Sequence, residues 1–214
     1  MIVRVKKLRK EFKSIDKTIE AIKDIDYTFD QLNNVIVGES GSGKTTFLDT
    51  IGMLTSPTSG QVFYDDIEIT KLSSNEQRTL IREKVAYIFQ NYNLLMSLTN
   101  KENILLGVDK VDEELFEKMV KKLKIEQLLD KMPQQISGGQ QQRIAIARAL
   151  IKKPEIIFAD EPTGALDTET TNDVMDLLFD LQKTHKFMLI MVTHNRDLIK
   201  LFDNVITYEN GLIK

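Results

Sequence analysis

The chain has 214 residues, a formal net charge of −3 and no cysteine. That length buries one sizeable core, most simply a single compact domain with room for a small subdomain and none for two large ones. The mild acidity offers no basic field to neutralise a nucleic-acid backbone, which argues against long polyanions as partners, and the missing cysteines exclude disulfides and thiolate metal sites. The opening Met1-Ile2-Val3-Arg4-Val5-Lys6-Lys7 lacks the apolar stretch of a secretory signal, so a cytosolic chain is expected. Apolar runs such as 187–192 fall far below the roughly 20 residues that span a bilayer. Any membrane work therefore passes through a partner.

Residues 2–8 and 21–29 read as strands, the second with Ile22, Ile25, Tyr27 and Phe29 on mixed faces, and Val35-Ile36-Val37 is a third apolar run. A glycine-rich turn follows at once. Over 44–52 the spacing of Phe47, Leu48 and Ile51 suits a helix that Gly52 closes. A turn at 57–60 precedes a strand at 61–64, the capping box Ser73-Ser74-Asn75-Glu76 opens a helix, and 85–89 is again a strand. From 91 to 135 the pattern is mostly helical, with a second capping box at Thr99 and Glu102. The amphipathic row Leu115, Met119, Val120 and Leu123 reads as the core of an inserted helical subdomain flanked by 1–90 and 136–214. A helix over 140–151 leads through Pro154 into the buried strand Ile156-Ile157-Phe158-Ala159. Val174, Leu177, Leu178 and Leu181 share one helix face, and an apolar strand at 187–192 precedes a short helix and a hairpin-like tail. Strands alternating with helices predict a mostly parallel α/β sheet.

Three strings carry chemistry. Gly38-Glu39-Ser40-Gly41-Ser42-Gly43-Lys44-Thr45, followed by Thr46, has the phosphate-loop spacing of glycine, four residues, glycine, lysine and threonine. Its glycines let backbone N–H groups converge on phosphate oxygens at a helix start, Lys44 reaches the β/γ-phosphates, and the Thr45 hydroxyl can sit on Mg²⁺. A flexible Gly-Ser turn is the bland alternative, and the strand before and helix after it argue against that. The apolar strand before Asp160 and Glu161 ends in two carboxylates, one suited to the Mg²⁺ shell and the next to polarising a water for attack on the γ-phosphate. Alone, such a pair more often marks a solvated helix start. Finally, Ile136-Ser137-Gly138-Gly139-Gln140, running into Gln141-Gln142-Arg143, joins a hydroxyl, two glycines and a helix N-terminus in a second anion cradle. A serine cap with a glycine hinge is its alternative.

In this order and over nearly the whole chain, these motifs resemble those of the nucleotide-binding subunits of ABC transporters. By that resemblance Gly38, Ser40, Gly41, Ser42, Gly43, Lys44, Thr45 and Thr46 belong to Walker A, and Ser137, Gly138, Gly139 and Gln140 form the signature. Asp160 and Glu161 are Walker B with its catalytic glutamate, and Ala165-Leu166-Asp167 is the D-loop, its Asp167 at the nucleotide. Gln90 is the Q-loop glutamine, reaching Mg²⁺ or the attacking water, and His194 is the switch histidine at the γ-phosphate. Phe12 stands where the family stacks an aromatic ring, usually tyrosine, on adenine; a core aromatic is the other reading. His185 has no role.

The resemblance implies a phosphate-loop α/β core with an antiparallel β part near the N-terminus and a helical insertion. It implies ATP hydrolysis with Mg²⁺ in a head-to-tail homodimer closed around two ATP, each site completed by Ser137 and Gly139 of the opposite subunit. An integral membrane permease-type subunit on the cytoplasmic face is the implied partner, with no nucleic acid. The stretch Phe89-Gln90-Asn91-Tyr92-Asn93-Leu94-Leu95 is similar to the subgroup serving lipoprotein release, macrolide and bacteriocin export and the cell-division pair. An exporter engine is the first reading and a mechanical relay of the cell-division kind the alternative. A soluble ABC ATPase of DNA repair or translation needs coiled coils or tandem domains that do not fit this length. The interval from Gln90 to Ser137 is short for the subgroup, so a trimmed helical subdomain is expected.

Overall fold

Alternating apolar side chains draw the N-terminal residues into β1 (Val3–Lys13) and β2 (Thr18–Phe29), an antiparallel pair that runs further toward its connecting end, where Lys13 pairs with Thr18, than the sequence pattern indicates. The computed structural model describes residues 1–13, 17–164 and 166–214, and of Arg196 the backbone only. The mixed faces of β2 have a local cause. Lys7 and Asp24 take left-handed backbone angles, φ 44° and 48°, where the register between the strands slips. The bulge at Asp24 lets Ile22 turn inward with Ile25 and Phe29 despite the odd spacing of Ile22 and Ile25, and the one at Lys7 does the same for Val5 and Leu8 of β1. The Asp26 carboxylate accepts the Lys7 N–H at 3.1 Å and holds the irregularity. β4 (Ser59–Tyr64) pairs with the other edge of β1, and the short β5 (Ile67–Glu68) lies beyond it.

Two compact units emerge, Met1–Ile81 with Met188–Lys214, and Arg82–Phe187. The first also contains β3 (Asn33–Val37), flanked in parallel by β8 (Met188–Val192) and β9 (Asn204–Glu209), with β10 (Leu212–Ile213) antiparallel to β9. The hairpin-like tail is therefore more than a hairpin, because β9 joins the parallel sheet beside β3. Helix α1 (Lys44–Ile51) follows β3, and α7 (Arg196–Ile199) lies between β8 and β9. Val35, Ile36, Phe47, Ile51, Ile190 and Tyr208 are sealed from solvent. Between the sheets' sequences, α2 (Ser74–Lys84) opens on the expected box, with Ser73 N–H donating to the Glu76 carboxylate at 2.9 Å.

In the second unit β6 (Val85–Ile88) and β7 (Ile156–Asp160) pair in parallel. Around them the chain forms α3 (Asn100–Leu105), α4 (Glu113–Lys122), α5 (Gly138–Ile151) and α6 (Thr168–His185). The 91–135 stretch is less helical than its pattern implies. Residues 91–98 form turns instead, because Tyr92 and Asn93 are left-handed and the buried Asn103 amide donates to the Leu95, Leu98 and Thr99 carbonyls at 3.0, 3.2 and 3.0 Å. A helix over these residues would have to give up those bonds. The row Leu115, Met119, Val120 and Leu123 is buried as expected, and so are Val174, Leu177, Leu178 and Leu181 of α6. Among the described residues no helix is long and apolar enough to cross a membrane.

Helix starts are capped by carboxylates whose pKa values lie below the ordinary range. The cause is hydrogen bonding from Ser73 for Glu76, from the Thr99 backbone for Glu102, and from the Leu115 backbone and then Lys153 for Asp112. A depressed folded-state pKa gives stability that is present above the unfolded value, about 4, and is lost as pH falls through the folded value. The urea midpoint should therefore drop on acidification below about pH 5. Asp112→Asn, which keeps a cap acceptor but cannot titrate, should flatten part of that dependence in a midpoint-versus-pH series.

Candidate nucleotide site

In the first unit the loop of residues 38–45 links the end of β3 to α1. Gly43 caps α1 with φ 102°, a left-handed angle that L side chains avoid, and its carbonyl accepts the Phe47 N–H at 2.8 Å. A Cβ there would also stand 2.9 Å from the Ala21 carbonyl oxygen. That same oxygen accepts the Tyr208 hydroxyl at 2.6 Å, and the Tyr208 ring stacks on Phe47 at 5.1 Å. Burial pushes the Tyr208 phenol well above its ordinary pKa, so it stays a donor. Tyr208 thus props the loop from beneath, a role sequence reasoning missed. Its signal was the alternation of Ile206 and Tyr208 within the tail.

Lys44, the first residue of α1, is only 8% exposed. Its ammonium donates to the carbonyls of Gly38 at 3.0 Å and Glu39 at 2.6 Å, with the Ser42 hydroxyl oxygen at 3.5 Å. The loop curls around its own cation. Ser40, Gly41 and Thr45 are exposed, and Gly38, Ser42, Gly43 and Thr46 are half-buried. The first-turn amides of α1 have no helical acceptor, so a positive helix end and a lysine share one small loop, which is the physical requirement of a phosphate site.

His194 follows β8 and is exposed. Phe12 is 46% exposed, with the Lys10 ammonium 5.1 Å from its ring centre. The core-aromatic reading of Phe12 therefore does not hold.

In the second unit, β6 and β7 pair with Ile88 opposite Ala159. Gln90 and Glu161 consequently leave the C-terminal ends of neighbouring parallel strands, each two residues past that pair, the edge at which open α/β sheets bind ligands. Gln90 is exposed in a turn and Asp160 half-buried at the end of β7. Glu161 takes φ 46°, and its carbonyl accepts the Gly164 N–H at 3.1 Å. A non-glycine residue in this region costs about 1–2 kcal/mol, and such strain gathers at functional sites. Thr45, Gln90 and Asp160 each offer an oxygen donor of the kind hard cations take. Among the described residues no group of three or more His, Asp or Glu is arranged to hold a metal ion.

Ser137 caps α5, its hydroxyl accepting the Gln140 N–H at 3.4 Å while the Gln140 side chain accepts the Ser137 N–H at 3.0 Å. The cap reading is realised, and it does not displace the cradle. Gly138 and Gly139 sit in the first turn, where N–H groups have no helical acceptor, and Ser137 is exposed beside them. Asp167 caps α6, accepting the Thr170 N–H and hydroxyl, both at 2.9 Å, and these bonds lower its pKa. Ala165 lies outside the described residues.

A family model described as ABC transporter matches residues 22–164. The chain is 42% identical over 184 residues to the macrolide export ATP-binding/permease protein MacB of Campylobacter jejuni, covering 83% of this chain and 28% of that protein. It thus spans little more than a quarter of that relative's length. It is 36% identical over 224 residues to the uncharacterized ABC transporter ATP-binding protein MJ0796 of Methanocaldococcus jannaschii, covering 100% of this chain and 95% of that one. It is 35% identical over 223 residues to the lipoprotein-releasing system ATP-binding protein LolD of Buchnera aphidicola, covering 100% and 96%. Among solved structures, the dimeric post-hydrolysis state of MJ0796 bound to ADP and Pi superposes with a TM-score of 0.92 at 34% identity, covering 99% of this chain and 96% of that chain.

Gly43→Ala tests the loop geometry. It should lower stability by about 1–2 kcal/mol through the left-handed angle, seen as a lower urea midpoint, and should weaken binding of a fluorescent ATP analogue.

Proposed function

The chain belongs to the ABC transporter family as an ATPase domain, and from that premise we propose that it dimerises head-to-tail around two MgATP to drive an integral membrane permease-type partner, as an exporter. The observation that carries this reading is the presence of two anion cradles in one chain, at the starts of two different helices, α1 and α5. A cradle that does not serve its own nucleotide has a use if it serves a neighbour's. The dimeric form of the MJ0796 cassette supports this, and the names of the macrolide-export and lipoprotein-release relatives support export through a membrane partner. The chain then works at the cytoplasmic face, held there by that partner.

In this proposal Lys44, with the amides of Gly38, Ser40, Gly41, Ser42, Gly43, Thr45 and Thr46, holds the phosphates. Thr45, Asp160 and Gln90 hold Mg²⁺, which neutralises phosphate charge when bound. Glu161 polarises the attacking water and His194 contacts the γ-phosphate. Ser137, Gly138, Gly139 and Gln140 close the neighbouring protomer's site, and Asp167 lies at the nucleotide. The exposed Phe12 ring offers a face for adenine. Residues 1–90 and 136–214 act as the ATP-binding core and 91–135 as the helical subdomain.

Glu161→Gln should keep ATP bound and lose turnover by about 100-fold or more, since general-base assistance is worth that much. Light scattering should find this variant monomeric without nucleotide and dimeric with ATP. An unchanged rate would remove Glu161 from the catalytic role, and one mass under both conditions would remove the nucleotide-bridged dimer.

Shared sites make a further test possible. Ser137→Arg should bind ATP through its own Lys44 yet fail to complete a partner's site, and Lys44→Ala should fail in its own. Mixing the two places both defects in one site of the heterodimer and leaves the other intact. Measurable hydrolysis, or one trapped ATP per mixed dimer where both sites must close together, is the expected result. Neither recovered hydrolysis nor any nucleotide-dependent heterodimer would contradict shared sites.

A further inference from the structure

The turn that follows Gln90 is unusual backbone held by an unusual clamp. Tyr92 and Asn93 are both left-handed, φ 59° and 48°, each costing about 1–2 kcal/mol relative to ordinary angles. Two successive carbonyls consequently face the same way. The Arg148 guanidinium, from the last turn of α5, takes both: one nitrogen donates to the Asn93 oxygen at 2.6 Å and the other to the Tyr92 oxygen at 2.7 Å. A planar fork suits this pair of acceptors in a way a point-charge ammonium does not. Burial pulls the pKa of Arg148 down, though a guanidinium keeps its charge in proteins.

Tyr92 also touches the opposite end of the same helix. A Cβ built on Gly138 would stand 2.9 Å from the Tyr92 hydroxyl oxygen and 3.7 Å from the ring carbon that bears it. One tyrosine thus runs along α5, its carbonyl held at Arg148 and its phenol seated on the glycine that opens the helix. Gly138 is small because Tyr92 lies against it.

We propose that Arg148 and Tyr92 form a strut that makes the Gln90 turn and the glycine start of α5 one rigid piece, with Arg148 as a positioning residue. This rests on the reading of Gln90 as a contact of one site and of Ser137 with its glycines as the closing cradle of another. Through the strut, a shift of Gln90 at one nucleotide carries the cradle that serves the second nucleotide. Arg148, which touches neither, sets how strongly the two sites feel each other.

The test is hydrogen–deuterium exchange on the nucleotide-free chain, followed by steady-state kinetics. Arg148→Lys keeps the charge and most of the stem but loses the fork. It should raise exchange about tenfold over both 90–96 and 137–142. In turnover it should lower kcat about tenfold, leave KM for ATP within about twofold, and reduce any cooperativity in ATP. Gln90→Ala, which removes chemistry but not the clamp, should leave exchange over both segments at the wild-type rate. Gly138→Ala should raise exchange over 90–96, and adding Tyr92→Phe in the same chain should bring it back, because the oxygen that met the new methyl is gone. The strut is overturned if Arg148→Lys loosens 90–96 while 137–142 stays as in the wild type, if its kcat is unchanged, or if Tyr92→Phe gives no relief. The exchange arm does not depend on hydrolysis. A wild-type chain that never turns over ATP would sink the ATPase reading and leave the strut to be decided by exchange alone.

Discussion

Backbone amides can point at an anion only where the chain brings several of them together with nothing bulkier than hydrogen in between, and much of this molecule follows from meeting that condition twice. At α1 it is met by Gly43 in a conformation reserved for glycine, pressed against the Ala21 carbonyl. At α5 it is met by Ser137, whose hydroxyl and backbone are tied to Gln140, leaving the amides behind it pointing outward. The first leans on Tyr208 and Phe47 beneath the loop, and the second on Tyr92 laid against Gly138. Aromatic rings thus brace both cradles, giving large, stiff contact area with a polar tip at the point of support.

The phosphate loop, the strand ending in Asp160 and Glu161, and the capped glycines of α5 were legible because each compresses its chemistry into a few consecutive residues. The helices were legible where a cap and a periodic face coincided, as at Thr99 with Glu102 and along α4. What escaped depends on residues far apart in sequence. Tyr208 and the loop it supports are separated by most of the chain, and β9 reads as half of a hairpin until its pairing with β3 is seen. The pattern over residues 91–98 reads as part of a helical stretch because nothing local announces that the Asn103 amide will claim three of the surrounding carbonyls. The bulge at Asp24 disguised the inward face of β2, since a slipped register turns an odd spacing into a single face. The role of Arg148 was hidden for the same reason: its partners are backbone atoms, which carry no residue identity.

Capping and ligand recognition are often treated as rival explanations of the same residue. Here they cooperate. A helix start whose cap is satisfied from within holds its remaining amides in a fixed direction, so an incoming anion finds them already aligned and little ordering is left to be done on binding. Asp167 is likewise fixed from within, its carboxylate accepting the Thr170 N–H and hydroxyl.

The ammonium of Lys44 already has hydrogen-bond partners in the carbonyls of its own loop. In the proposed function, taking up a phosphate is therefore an exchange of acceptors, not the filling of an unmet charge. Chloride or bicarbonate, with one charge and little reach, gives the lysine poor reason to leave carbonyls that cost it nothing to keep. A chain of phosphates does, since it brings several anionic oxygens at once and engages the loop amides as well. In the proposed function, a loop that closes on its own cation discriminates against small anions before selectivity for the nucleotide base comes into play.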